Sequence, residues 1–140
     1  MATTWTDADP YAFVDAIAHP VRRRDGFTLI ELMGRATGER PRMFGTSIVG
    51  FGEYRYEYES GRTGRSAAAG FAPRKAATVV YLGDGVGTHA VSLAELGPHT
   101  TGVGCLYLKD LGAVDLGVLE AIVRASYARL TAGTHHGDES

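Results

Sequence analysis

An α+β domain, with an antiparallel sheet of about four to five strands and helices packed on one face, is what this 140-residue sequence predicts. Three observations point to it. Two helical stretches precede the first strand-like segment. The alternating segments that follow are joined by short turns, the connection that antiparallel strands use. A long apolar stripe at helical spacing closes the chain. Helices set apart from a run of hairpin-joined strands make the α+β arrangement.

The first eight residues, "MATTWTDA", are expected to form a flexible lead, with one domain over residues 9–131 and a disordered tail over 132–140. Asp9 suits an N-cap and Pro10 the first helical position, after which Phe13, Val14 and Ile17 share a face. Pro20 ends this helix. From Val21 a second helix sets Phe27, Ile30 and Met33 at three-residue spacing, with Arg22, Arg23, Arg24 and Glu31 largely elsewhere, and Gly34 or Gly38 stops it. Strict alternation then begins, with Tyr54, Tyr56 and Tyr58 on one side of a strand and Glu53, Arg55, Glu57 and Glu59 on the other.

"SGRTGRS" is a loop, and "AAAGFAPRK" returns from it as the second arm of a hairpin, with Pro73 at an edge or a bulge. "ATVVYLG" is the next strand. The turn "GDGVG" leads to a modest helix over "THAVSLAEL", stopped by Gly97 and Pro98, and "CLYLKDL" alternates again. Leu116, Leu119, Val123, Tyr127 and Leu130 stripe the final helix, which Gly133 ends.

Helices covering one face would draw Val80, Leu82, Leu106 and Leu108 toward them and leave Tyr81 and Tyr107 outside. The charged set Glu53, Arg55 and Glu57 cannot face a core without partners, so the tyrosine ladder points inward. Gly50 and Gly52 share the ladder's parity if no bulge intervenes. Two side-chain-free positions beside Tyr54 require something to approach the backbone: a close helix, a bulge, or a ligand cleft floored by glycine and walled by aromatic rings.

Composition removes several function classes. A net charge of -2, with both signs dispersed, gives no field for nucleic acid or a membrane surface, and no segment has the ~20 apolar residues of a membrane span. The lone Cys105 allows no internal disulfide, and with no leader pattern at the N-terminus a cytoplasmic setting is expected. "GFGEYR" carries Arg55 where a dinucleotide fingerprint needs its third glycine, and no phosphate loop of the G-x-x-x-x-G-K-[ST] type is present. Ser47 in "GTSIVG" is not a nucleophile elbow, and Cys105 reads as a small packed residue in a strand. The five histidines lack zinc-type spacing. No catalytic or metal-ligating residue is therefore assigned, and no cofactor is called for.

Several long motifs in order, "PRMFGTSIVGFGEYRY", "GFAPRK", "TGVGCLYLKDL" and "VDLGVLEAIV", together with "RRRDGFTLIELM", resemble the YdhG-like family, a bacterial domain family of unknown function. The resemblance spans about Asp9 to Leu130. It implies a frataxin-like α+β form and, from some relatives, a link to intracellular iron delivery. Phe44 stands where the family often has Trp, Ala72 where Ser is frequent, and Arg55 where His is common. The last change removes a potential metal ligand.

The function expected from these residues is a non-enzymatic binding module. A shallow pocket near Gly50 and Gly52, lined by Phe44, Tyr54 and Tyr81, would hold a small anionic molecule or an acidic group of a protein partner, anchored by Arg42, Arg74 and Lys75. Alternatively those cations pair with Glu53, Glu57 or Asp110 and set strand register. The alternative function, implied by the resemblance, is a frataxin-like iron chaperone. The outer face around Arg55, Tyr81 and Tyr107 is a possible homodimer surface.

Overall fold

The computed structural model describes residues 3–57, 60–132 and 135–136. Tyr58 and Glu59 of the expected ladder, and residues 133–134 and 137–140 of the expected tail, lie outside the described residues. The chain runs β1 (Trp5–Thr6), α1 (Pro10–Asp15), α2 (Pro20–Thr37), β2 (Arg42–Phe44), β3 (Ile48–Glu57), β4 (Thr63–Pro73), β5 (Thr78–Tyr81), α3 (Ala90–Leu93), β6 (Thr100–Thr101), β7 (Cys105–Leu108), α4 (Leu116–Leu130) and β8 (His135–His136). Single 3-10 turns precede α3 and α4.

Seven strands pair antiparallel in the order β1-β2-β3-β4-β5-β7-β6, and β8 lies parallel to β3. The α+β class is as expected, but the sheet is larger than four to five strands. The additions β1, β6 and β8 are two residues each, too short to show an alternation in the sequence. β1 comes from the expected flexible lead, placing Trp5 opposite Phe44.

Local signals account for the helix ends. Asp9 accepts from Tyr11 N at 2.9 Å with Pro10 beside it, and Asp115 accepts from Val118 N at 3.1 Å at the start of α4. Gly38, at φ 72°, closes α2 in the left-handed conformation that glycine adopts without strain. The expected helix over residues 88–96 is shorter: a 3-10 turn at Val86–His89 and one α-helical turn at Ala90–Leu93.

One hydrophobic core joins Leu29, Leu32 and Met33 of α2 and Leu119, Ile122 and Val123 of α4 to Val49, Phe51, Phe71, Val80, Leu106 and Leu108 of the sheet. Leu82, just past β5, is buried with them, as its parity predicts. Fully burying side chains such as Phe51 and Phe71 contributes about 2–3 kcal/mol each.

The expected inward face shared by Gly50, Gly52 and the tyrosines fails at Gly50, because the parity of β3 reverses at one residue. Val49 and Phe51 are buried in the core, so Gly50 between them faces away from the helices. Gly52 should face away too. Instead a Cβ there would lie 2.6 Å from Glu39 Oε2 and 2.9 Å from Tyr127 Cε1, on the side of α4. The cause is its φ of 71°, which reverses the side-chain direction while the β4 register continues from Phe51↔Ala69 to Glu53↔Ala67. Beyond Gly52 the exposed set is Glu53 and Arg55, and Tyr54 and Tyr56 are half-buried, their rings 6.0 Å apart.

Candidate functional site

β4 pairs with β5 only from Gly70↔Tyr81 to Pro73↔Thr78, whereas its pairing with β3 continues to Glu57↔Thr63. Past Tyr81 the chain turns aside, with Leu82 N donating to Gly104 O and Gly85 N to Leu82 O, both at 2.9 Å. The split leaves a notch of about 340 Å³ between Ser66 and Ala67 on one wall and Gly83, Gly85 and Gly104 on the other. Phe44, Tyr54 and Tyr81 line it, and Gly70 lies at its base.

Arg74 joins the notch through Tyr81. Its Nη2 donates to the Tyr81 hydroxyl at 3.2 Å and its Nη1 to Ser47 Oγ at 3.1 Å. The exposed guanidinium sits on a fixed backbone: Arg74 N donates to Ala77 O, and Arg74 O accepts from Arg22 Nε at 3.2 Å. Arg22, only 5% exposed, also donates to Lys109 O at 2.6 Å, so one buried cation ties the ends of β4 and β7 together.

The other candidate residues are placed elsewhere. A Cβ on Gly50 would lie 2.8 Å from Trp5 Cη2, so the indole covers that glycine. Trp5 packs on Phe44 with ring centroids 4.8 Å apart, donates to Glu53 Oε1 at 3.0 Å, and carries the Arg42 guanidinium 4.7 Å above its ring. Arg42 and Gly52 line a separate depression of about 440 Å³ with Trp5, Glu39, Arg40 and Glu53. Lys75 is exposed and makes no ion pair or hydrogen bond among the described residues. The space above the glycines is thus filled by Trp5 over Gly50 and by Glu39 and Tyr127 over Gly52, and the open volume lies one strand further along.

The structure supplies groups that the sequence did not single out. Tyr127 donates its hydroxyl to Glu39 Oε2 at 2.6 Å, and this bond to a carboxylate, with burial, pushes the phenol up to about 12. Asp84 is buried behind the notch wall. It accepts from Ser126 Oγ at 2.6 Å, is bonded to His89 Nε2 at 2.9 Å, and lies 3.5 Å from Arg129 Nε. Because Gly83 and Gly85 flank it, this network fixes the glycine wall to α4.

Ser126 and His89 meet opposite oxygens of Asp84, and both are buried, so they do not form a serine activated by a base. Asp25, fully buried, accepts from Leu111 N at 3.0 Å and from Arg24, whose guanidinium is held above its ordinary range by Asp25 first and Asp110 second. Cys105 and Tyr107 sit on the outer side of β7, and the contact with Cys105 raises the Tyr107 phenol.

Among the described residues no three of His, Cys, Asp and Glu gather in a way that could hold a metal ion. No described helix is long and apolar enough to cross a membrane. No family model, no curated protein and no solved structure matches this chain.

Proposed function

We propose that this protein is a non-enzymatic binding module that takes a small anionic molecule, or an acidic group of a protein partner, into the notch at the split between β4 and β5. The observation that carries the reading is the position of Arg74: an exposed guanidinium, bonded to two hydroxyls and to no carboxylate among the described residues, beside an aromatic-walled notch. Pockets for small ligands combine apolar walls with a few fixed polar groups, and a volume of about 340 Å³ falls at the small end of their usual range.

A groove of about 650 Å³ beside β6 is larger, but Asp110 lines it next to Lys109 and opposes an anion there. Membership of the YdhG-like family and its frataxin-like form belong to the same proposal. Iron delivery ranks second, since no cluster of ligating side chains among the described residues favours it.

A thermal-shift screen against metabolite anions tests the proposal. A specific ligand at a hundred times its Kd stabilises the fold by about 2.7 kcal/mol, which raises the midpoint by roughly 5–10 °C for a chain of this size. Arg74→Ala should remove that rise. Either a screen with no shift from any anion, or a hit whose shift survives Arg74→Ala, rejects the proposal.

A further inference from the structure

We infer that the ligand of the notch is a flat, aromatic monocarboxylate rather than a phosphate or a polyanion. The inference rests on the anion reading of the notch and adds the shape and charge of what fits there. Three features of the lining set the class.

The first is size and the character of the walls. A notch of about 340 Å³ has room for one or two fused rings with a carboxylate. Gly83, Gly85 and Gly104 present peptide planes without side chains along one wall. Glycine peptide planes and the rings of Phe44, Tyr54 and Tyr81 line the notch together, and a planar aromatic body stacks on such surfaces better than a puckered one.

The second is charge. Among the described residues no charged side chain lines the notch, and the one cation bonded to a lining residue is Arg74, so the site offers compensation for a single negative charge. A phosphate dianion would leave charge uncompensated against apolar walls, which carries a large desolvation cost.

The third is donor geometry. Arg74 uses one N–H on each Nη, toward Ser47 and Tyr81, which leaves Nε and further N–H groups to face a carboxylate. The Tyr81 hydroxyl accepts from Arg74, and its own proton has no acceptor among the described residues. Arg74 and Tyr81 together therefore offer a carboxylate two charge-assisted donors beside the notch.

Calorimetric titration of the full chain with benzoate, 1-naphthoate, cyclohexanecarboxylate, benzyl alcohol and inorganic phosphate tests the class. The expected result is binding of the two aromatic carboxylates, with cyclohexanecarboxylate and benzyl alcohol at least tenfold weaker and phosphate weaker still. Tyr81→Phe should weaken benzoate severalfold and Arg74→Gln about tenfold, while both variants keep the unfolding midpoint of the parent. Equal binding of benzoate and cyclohexanecarboxylate, or binding of phosphate in preference to both, overturns the aromatic-carboxylate class and leaves the anion reading standing. Absence of heat with every anion, or benzoate affinity unchanged by Arg74→Gln, overturns both.

Discussion

Gly52→Ala puts the reversal of β3 to a direct test, because it perturbs two separable terms at one atom. The residue sits at φ 71°, where an alanine Cβ costs about 1–2 kcal/mol relative to glycine. That Cβ would lie 2.6 Å from Glu39 Oε2 and 2.9 Å from Tyr127 Cε1. The carboxylate end of Glu39 can swing aside, but only by giving up the Tyr127 hydroxyl, a bond to a charged acceptor worth about 1.5–3 kcal/mol. The combined loss is about 2.5–5 kcal/mol, a fall in melting midpoint on the order of 10 °C.

Urea denaturation of the parent, Gly52→Ala, Tyr127→Phe and the double variant reads the terms apart. Tyr127→Phe alone should cost about 1.5–3 kcal/mol, and the double variant should cost less than the two singles together, since they disrupt one contact. Gly52→Asn, which tolerates the left-handed region better, should recover part of the backbone term only. A Gly52→Ala variant within 0.5 kcal/mol of the parent would refute the left-handed turn and the packing of Glu39 and Tyr127 over it.

Three further outcomes follow from the same geometry. Trp5→Ala, which uncovers Gly50 and removes the packing on Phe44, should cost about 1–3 kcal/mol in urea titration; no loss would mean that β1 contributes nothing to the fold. Asp84→Ala should cost about 3–5 kcal/mol, because it strips the partner from buried His89 and Ser126, whereas Ser126→Ala should cost only about 1–3 kcal/mol; the reverse ranking contradicts the buried network. Tyr127 titrates near 12 folded against about 10 in the unfolded chain, so its bond to Glu39 contributes fully below pH 10 and is lost as pH rises toward 12. Urea midpoints measured across pH 9 to 12 should fall more steeply for the parent than for Tyr127→Phe, and parallel curves would contradict the assignment.

What the sequence revealed depended on whether a signal was local. Asp9 with Pro10 and the parity of Val80, Leu82, Leu106 and Leu108 are readable because cap chemistry and strand alternation act over a few residues. Alternation through Gly50 to Tyr54 misleads because a positive φ at Gly52 is invisible in the pattern; only a glycine permits it, and glycine does not demand it. Phe44, Tyr54 and Tyr81 do converge on one notch, and Arg74 joins Tyr81, but its base is Gly70 rather than Gly50 or Gly52.

Arg22 falls off the apolar stripe of α2 in the sequence, yet it is buried, because two strand-end carbonyls complete its hydrogen bonds. Asp84 and Ser126 are 42 residues apart, so nothing short of the fold links them. Trp5 is the exception, a lone tryptophan in a polar lead, and its bulk was a usable sign that the segment packs on something.

The proposed function places anion binding at the split between β4 and β5. Amide chemical-shift mapping of the full chain during titration with benzoate tests it most directly. Shifts should concentrate at Gly70, Tyr81, Gly83, Gly85 and Gly104, and should be lost in Arg74→Gln. Shifts concentrated instead at His99, Thr100, Tyr107 and Lys109, along the groove beside β6, would contradict it.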